Sequence, residues 1–282
     1  MTMPDTMALE TNEWTGRVGS AWAEQWRRTD RSFNGLTARL LDYTALGRFR
    51  AALDIGCGAG EIAWTLAGVY PCARVIGVDV STELLAVARE RPGVPGSPVY
   101  ELADATHWQA PPGFAPDLVI SRHGVMFFAD PVAAFANLRV QSAPAALLRF
   151  SCFRARSENG WVTALMSVLP PQPPVDPTAP GPFAFGDPAR VQSILTAAGW
   201  DEIELEPFDY PMTVGEGEDS LDEALAYLQR IGPAARAMAQ LPERERVLSV
   251  ERLRVMLARY QNNGFVSLPA AAWIVTARSP RL

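Results

Sequence analysis

At 282 residues and 48% hydrophobic content the chain can bury a full core, and its length fits one elaborated domain better than two independent ones. Its 25 Lys and Arg stand against 31 Asp and Glu, a net charge of -6 without any basic run, which disfavours a nucleic-acid partner because neutralising phosphates needs a basic patch. Three scattered cysteines, Cys57, Cys72 and Cys152, make neither a disulfide framework nor a CxxC metal site, so a reducing cytoplasm is the expected location.

Met1 to Glu10 carries two acids and no apolar centre, so it is not expected to act as a secretory signal. No apolar stretch approaches the roughly 20 residues of a spanning helix, and no membrane association is expected. From Trp14 to Leu46, Val18, Trp22, Trp26, Leu36, Leu40 and Leu41 recur at helical spacing, which predicts two helices ahead of the first strand. Short apolar runs then alternate with helix-length segments. The strands are predicted at Ala51 to Asp54, Arg74 to Asp79, Val99 to Asp104, Asp117 to Ser121 and Ala145 to Phe150. The helices between them are predicted at Glu61 to Val69, Ser81 to Arg89 and Pro131 to Val140. Such alternation implies βαβ units, an α/β class and a parallel sheet covered on both faces.

After Phe150 the alternation stops. Residues 151–169 look partly helical, and seven prolines from Pro170 to Pro182, Pro173 and Pro174 among them, predict a loop or lid. A helix from Pro188 to Ala198 closes at Gly199, and Ile203 to Glu206 reads as a strand. Helical patterns follow at Leu221 to Ile231, Ala234 to Gln240 and Glu243 to Tyr260, with a last β-rich run at Ala271 to Ala277. This divides the chain into a helical cap (1–46), a ligand-binding core (47–150), a lid insertion (151–187) and a C-terminal part of the core with a helical insertion (188–282).

The strongest local signal is Leu53-Asp54-Ile55-Gly56-Cys57-Gly58-Ala59-Gly60-Glu61, set between the first strand and the first crossover helix. Its glycines let the backbone turn sharply and approach a ligand, and the following helix N-terminus offers free N–H groups to an anion. Dinucleotide folds use G-x-G-x-x-G, which needs glycine at position 61, where this chain has Glu. The second strand ends at Asp79, placed to accept from both hydroxyls of a ribose. The third ends at Asp104, where a carboxylate can accept from an adenine amino group. Taken singly, either acid could be a turn former or a helix cap; together they mark successive strand ends.

With these landmarks the chain resembles the class I S-adenosylmethionine (SAM)-dependent methyltransferases, of the broad group that includes ubiquinone and menaquinone C-methyltransferases. The matching landmarks run from Leu53 to about Phe150. The resemblance implies a Rossmann-like sheet of seven mostly parallel strands in the order 3-2-1-4-5-7-6, with the last strand antiparallel, helices on both faces and a helical cap. It implies SAM as cofactor and S-adenosylhomocysteine as its product. The implied cofactor contacts are Asp54, Gly56, Cys57, Gly58 and Gly60 of the loop, Asp79 and Val80, Asp104 and Ala105, Ser121, and Trp22 of the cap. One departure is Ser142-Ala143-Pro144-Ala145-Ala146, where the group usually carries a Pro-Gly-Gly turn, so this turn must be built differently.

Ligands of open α/β sheets bind beyond the strand C-termini, which puts Ser121-Arg122-His123-Gly124-Val125-Met126-Phe127-Phe128 against the reaction zone. His123 is the candidate general base, because an ordinary imidazole titrates near neutrality; packing is the alternative. Arg122 either attracts a carboxylate or is paired within the protein, and His107 is read as a surface residue. Trp14, Trp22, Trp26, Phe33, Phe127, Phe128, Phe153 and Trp161 come from segments that should cap the site, which favours a hydrophobic or aromatic acceptor over a sugar. Cys57 is read as a small loop residue, although a helix N-terminus could activate its thiol. No His, Asp or Glu cluster has metal-ligand spacing, so no metal is expected.

These readings converge on an enzyme that methylates a small molecule at O, N or C. An NAD(P)-dependent oxidoreductase and a catalytically silent SAM-binding regulator are the alternatives, and the oligomeric state, monomer or homodimer, is left open.

Overall fold

The structure is a computed structural model that describes residues 11–171 and 176–281. The expectations for Met1 to Glu10 and for Pro173 and Pro174 lie outside those residues. Five short helices come first: α1 (Thr11–Trp14), α2 (Arg17–Glu24), α3 (Trp26–Ser32), α4 (Asn34–Leu40) and α5 (Tyr43–Leu46). Two helices were expected here. The difference is one of bending: at Gln25 and Phe33 the backbone leaves helical geometry, yet both N–H groups still reach the carbonyl four residues back, Ala21 and Thr29. Arg17 to Leu40 is therefore a kinked rod that follows the curvature of the domain.

The parallel part of the sheet consists of β1 (Ala51–Ile55), β2 (Arg74–Asp79), β3 (Val99–Leu102), β4 (Leu118–Arg122) and β5 (Leu147–Phe153). Its crossovers use α6 (Glu61–Val69), α7 (Thr82–Glu90) and α8 (Pro131–Gln141). Alternate residues feed opposite faces, as the two-residue strand period requires. Leu53, Ile76, Val119 and Leu148 join one hydrophobic cluster, whereas Ala52, Val75, Leu118 and Leu147 join the other beneath Leu40, Ile62 and Leu66.

The C-terminal half adds α9 (Gly160–Met166), α10 (Pro188–Ala197), β6 (Asp201–Glu216), α11 (Ser220–Leu228), α12 (Gly232–Ala239), α13 (Glu243–Ala258), β7 (Gln261–Asn262) and β8 (Phe265–Arg278). The sheet order is β3-β2-β1-β4-β5-β8-β6, with β8 antiparallel to both neighbours. This is the expected order once the two-residue β7, which pairs only with β8, is counted as the eighth strand. β6 and β8 run well past the short segments expected. β6 is an edge strand, so Pro207 and Pro211 face a side where no ladder hydrogen bond is lost.

The turn that lacks the Pro-Gly-Gly element places Ala145 at φ 57°, a left-handed conformation usually left to glycine. It is held by Ser279, whose hydroxyl donates to the Ala143 carbonyl and accepts from the Ala146 N–H. Among the described residues no helix is long and apolar enough to cross a membrane, and no group of three metal-ligating side chains is found.

Candidate active site

The C-terminal ends of β1, β2 and β4 and the bent N-terminal rod enclose a cavity of about 640 Å³, which α11, α12 and the far end of β6 close on the opposite side. Of the expected cofactor contacts, Trp22, Asp54, Gly56, Cys57, Gly58, Asp79, Val80, Asp104 and Ala105 all line it. Gly60 and Ser121 do not. A Cβ on Gly60 would meet the Tyr100 hydroxyl at 2.6 Å and the Ala88 Cβ at 2.8 Å, so that glycine serves close packing. The Ser121 hydroxyl donates to the Ile55 carbonyl at 2.6 Å and ties β4 to β1, away from the cavity.

The Asp79 carboxylate joins the glycine loop to the next helix, accepting from the Gly58 N–H at 2.7 Å and the Ser81 N–H at 2.9 Å. Burial pushes its pKa upward, and these backbone donors oppose the shift. Asp54 is fully buried, and burial raises its pKa to about 8. One oxygen accepts from the Ala63 N–H at 3.1 Å; the other, Oδ1, has no protein partner although the residue lines the cavity. At Gly58 (φ 53°) a Cβ would point into open space. Asp104 is exposed, and its carboxylate caps its own turn through the Thr106 N–H at 2.8 Å. Burial, followed by the charges of Asp79 and Asp54, drives the Cys57 thiol far upward, which rules out an activated thiolate.

An orphaned, fully buried carboxylate oxygen beside an open glycine cradle fits a cationic amino group. The bridged acid on β2 and the exposed acid beyond β3 fit a ribose and an amino-purine. The residues present thus fit an adenosyl amino acid.

His123 follows β4 at φ 62° and is buried. Its ring stacks on Phe153 with centroids 4.2 Å apart and meets the edge of Phe33 at 5.2 Å. Nδ1 lies 3.4 Å from the Ser151 hydroxyl, and Nε2 is buried without a partner. The expected near-neutral titration is corrected by the structure: burial, reinforced by the charge of Arg122, pushes its pKa down to about 3. Arg122 is committed within the protein, to Glu61, to Asp30 at 3.5 Å and to the Thr37 hydroxyl at 2.8 Å. His107 is exposed and does not line the cavity.

All eight aromatic residues expected to cap the site line the cavity. Other lining residues carried no sequence signal: Met212 and Val214 of β6, Tyr227 and Leu228 of α11, and Met238 of α12. Asp30 of the kinked rod was missed as well. It pairs with Arg91, whose Nε donates to the Ala59 carbonyl at 2.5 Å in the glycine loop. Alternating apolar and charged helices look alike wherever they pack, so only the folded chain distinguishes these positions.

A glycine turn after β1, acids at the ends of the next two strands and a sheet closed by an antiparallel β8 together define the class I SAM-dependent methyltransferase fold. A family model described as a methyltransferase domain matches residues 52–144, about a third of the chain. Curated relatives include two trans-aconitate 2-methyltransferases. That of Paracidovorax citrulli is 31% identical over 165 residues, 58% of this chain and 59% of the relative. That of Variovorax paradoxus is 35% identical over 109 residues, 39% of this chain and 40% of the relative. The chain thus spans between two fifths and three fifths of the length of these relatives. Among solved structures, the cyclase SpnF is 17% identical, covering 99% of this chain and 100% of that one with a TM-score of 0.56. A phosphoethanolamine N-methyltransferase of Haemonchus contortus in complex with SAM is 16% identical, covering 97% and 60% with a TM-score of 0.54. These two likenesses concern the fold alone.

Proposed function

We propose that this protein transfers the methyl group of SAM to a small, apolar or aromatic acceptor. The observation that carries the reading is the unpartnered Asp54 Oδ1, buried beside the open Gly58 cradle in a cavity that continues to His123. A bound SAM supplies an electrophilic methyl carbon on a sulfonium. Every other contribution comes from the chain. Asp54 takes the amino group, Asp79 the ribose, and Asp104 with Ala105 the adenine edge. Trp14, whose ring lies 5.7 Å from that of Trp22 and 5.0 Å from that of Phe127, excludes water from above together with them. Methyl transfer is an in-line displacement, so alignment and a dry cavity are the main contributions a protein can make.

The relatives named for trans-aconitate support a small-molecule acceptor. The lining beyond His123, which includes Phe153, Trp161, Leu165 and Met212, supports a less charged one in this chain. Against an NAD(P)-dependent oxidoreductase stands Glu61, whose carboxylate takes the place of the third dinucleotide glycine and pairs with Arg122.

Calorimetry with SAM and with S-adenosylhomocysteine tests the reading. Both should bind, and Asp79→Ala should weaken both by roughly 1 to 3 kcal/mol, the range for losing a buried charge-assisted partner. Binding of neither, or binding of a nicotinamide cofactor in their place, refutes it. Binding without transfer to any acceptor would identify a silent SAM-binding protein.

A further inference from the structure

Of the buried polar atoms without a protein partner, two belong to residues lining the inner cavity at strand ends, Asp54 Oδ1 and His123 Nε2. The first is absorbed by the cofactor reading. The second sits on a ring held between Phe153 and Phe33. We propose that His123 Nε2 receives the proton of an uncharged hydroxyl carried on a flat apolar ring, making this site one for O-methylation of phenol-type acceptors. This rests on the cofactor reading above.

The surroundings of the imidazole favour one acceptor class. At the imidazole the adjacent cation, Arg122, is already neutralised by Glu61 and Asp30, so a carboxylate gains little there; the other arginines of the lining, Arg17, Arg230, Arg236 and Arg246, belong to or flank α2 and α11 to α13. An arylamine attacks through a free lone pair and needs no base during attack, which would leave a buried imidazole nitrogen without a task. A carbon acid must first be ionised, and an imidazole kept neutral by burial and by the neighbouring Arg122 is too weak a base for that. A phenol needs its proton removed only as its oxygen attacks, which a neutral imidazole can do.

Phe153 and Trp161 continue the aromatic wall of the cavity from the imidazole, with ring centroids 5.4 Å apart. A flat ring can stack there with its hydroxyl toward Nε2. The Ser151 hydroxyl beside Nδ1 can accept a hydrogen bond from an Nδ1–H, the tautomer that leaves the lone pair on Nε2. In the step, the hydroxyl oxygen bonds to the methyl carbon as the carbon–sulfur bond breaks with both electrons staying on sulfur, and the O–H proton passes to Nε2. One positive charge disappears at sulfur and one appears on imidazole, so the cavity's total charge is unchanged. The imidazolium then returns its proton to solvent.

The test uses matched rings that differ in one group: phenol, naphthol and hydroxyflavone, with naphthylamine and naphthoate as the contrasting pair. Binding to the full-length protein is measured by calorimetry without cofactor, and transfer is measured with SAM. Naphthol or one of its hydroxyl companions should bind and be methylated at oxygen, and naphthylamine and naphthoate should do neither. His123→Asn, which keeps a residue tolerant of left-handed geometry, should weaken hydroxyl binding about 10-fold and slow transfer by at least about 100-fold, with SAM affinity unchanged. Equal or faster transfer to the amine or carboxylate overturns the inference, as does full transfer by the variant. Normal SAM binding with no hydroxyl compound methylated also overturns it while leaving the cofactor reading intact. Loss of SAM binding in the unaltered protein would instead strike that reading.

Discussion

Asp79, the last residue of β2, accepts a hydrogen bond from the backbone N–H of Gly58 at 2.7 Å, so the acid that ends one strand fixes the glycine turn that follows its neighbour. Two glycines of that turn then diverge in role. Gly58 opens onto the cavity, and Gly60 is pressed against Tyr100 and Ala88. Gly58→Ala should therefore weaken SAM binding by more than 10-fold at modest cost in stability, because its methyl enters ligand space. Gly60→Ala should lower stability by about 1 to 3 kcal/mol through overpacking. Urea unfolding beside calorimetric titration separates the two, and the reverse ranking would refute the assignment.

Asp54 makes a prediction about protons. Its folded pKa of about 8 lies above the ordinary aspartate value near 4, so in the ligand-free protein it is protonated across that interval. The folded state then holds a proton that the unfolded chain lacks, and stability contributed by this group falls as pH rises from about 4 through 8. A cationic amino group at Oδ1 favours the carboxylate, so SAM binding near pH 6.5 should release about one proton. Titrations in buffers of different ionisation enthalpy measure that number. Asp54→Asn should abolish the release and flatten the pH dependence of stability above pH 5.

The cap and the glycine loop share one counter-ion. Asp30 pairs with Arg91, which holds the Ala59 carbonyl, and with Arg122, which holds Glu61 at the start of α6. Arg91 also lies over the Trp26 ring at 4.4 Å. Asp30→Asn breaks a partly buried pair and should cost up to roughly 3 kcal/mol. Because the same rod lines the cavity proposed for SAM, dissociation of SAM measured by stopped-flow should quicken by an order of magnitude or more. An unchanged dissociation rate with lowered stability would mean a purely structural cluster.

His123 should remain neutral over the whole physiological range. Burial and Arg122 hold its pKa at about 3, so any loss of a base at this position comes only far into acid. The chain has two histidines, and His107→Gln isolates the second in an NMR titration. The remaining imidazole signal should stay at its neutral position from pH 8 to pH 5; a midpoint near 6.5 would contradict the buried placement.

Much of the parallel half was legible because local chemistry repeats there. Arg74 to Asp79 and Glu61 to Val69 were delimited to the residue, since an apolar run ending in an acid or a glycine turn marks a strand end without reference to anything distant. The bending at Gln25 and Phe33, and the full lengths of β6 and β8, were not legible. The first reflects wrapping around a core assembled elsewhere; the second reflects pairing between strands about 60 residues apart in sequence, with prolines tolerated on a free edge.

The sequence by itself determined the α/β class, the glycine turn after β1 and the acids at or just beyond the ends of β2 and β3, because each is written in contiguous residues whose backbone needs are local. Tertiary structure alone decided which charges are satisfied and how basic an imidazole can be. Asp30 meets Arg122 across 92 residues, and the packing of the cap and core leaves Asp54 Oδ1 and His123 Nε2 buried without a protein partner in residues that line the cavity. Desolvation depends on everything packed around a group, and no stretch of chain carries that information alone.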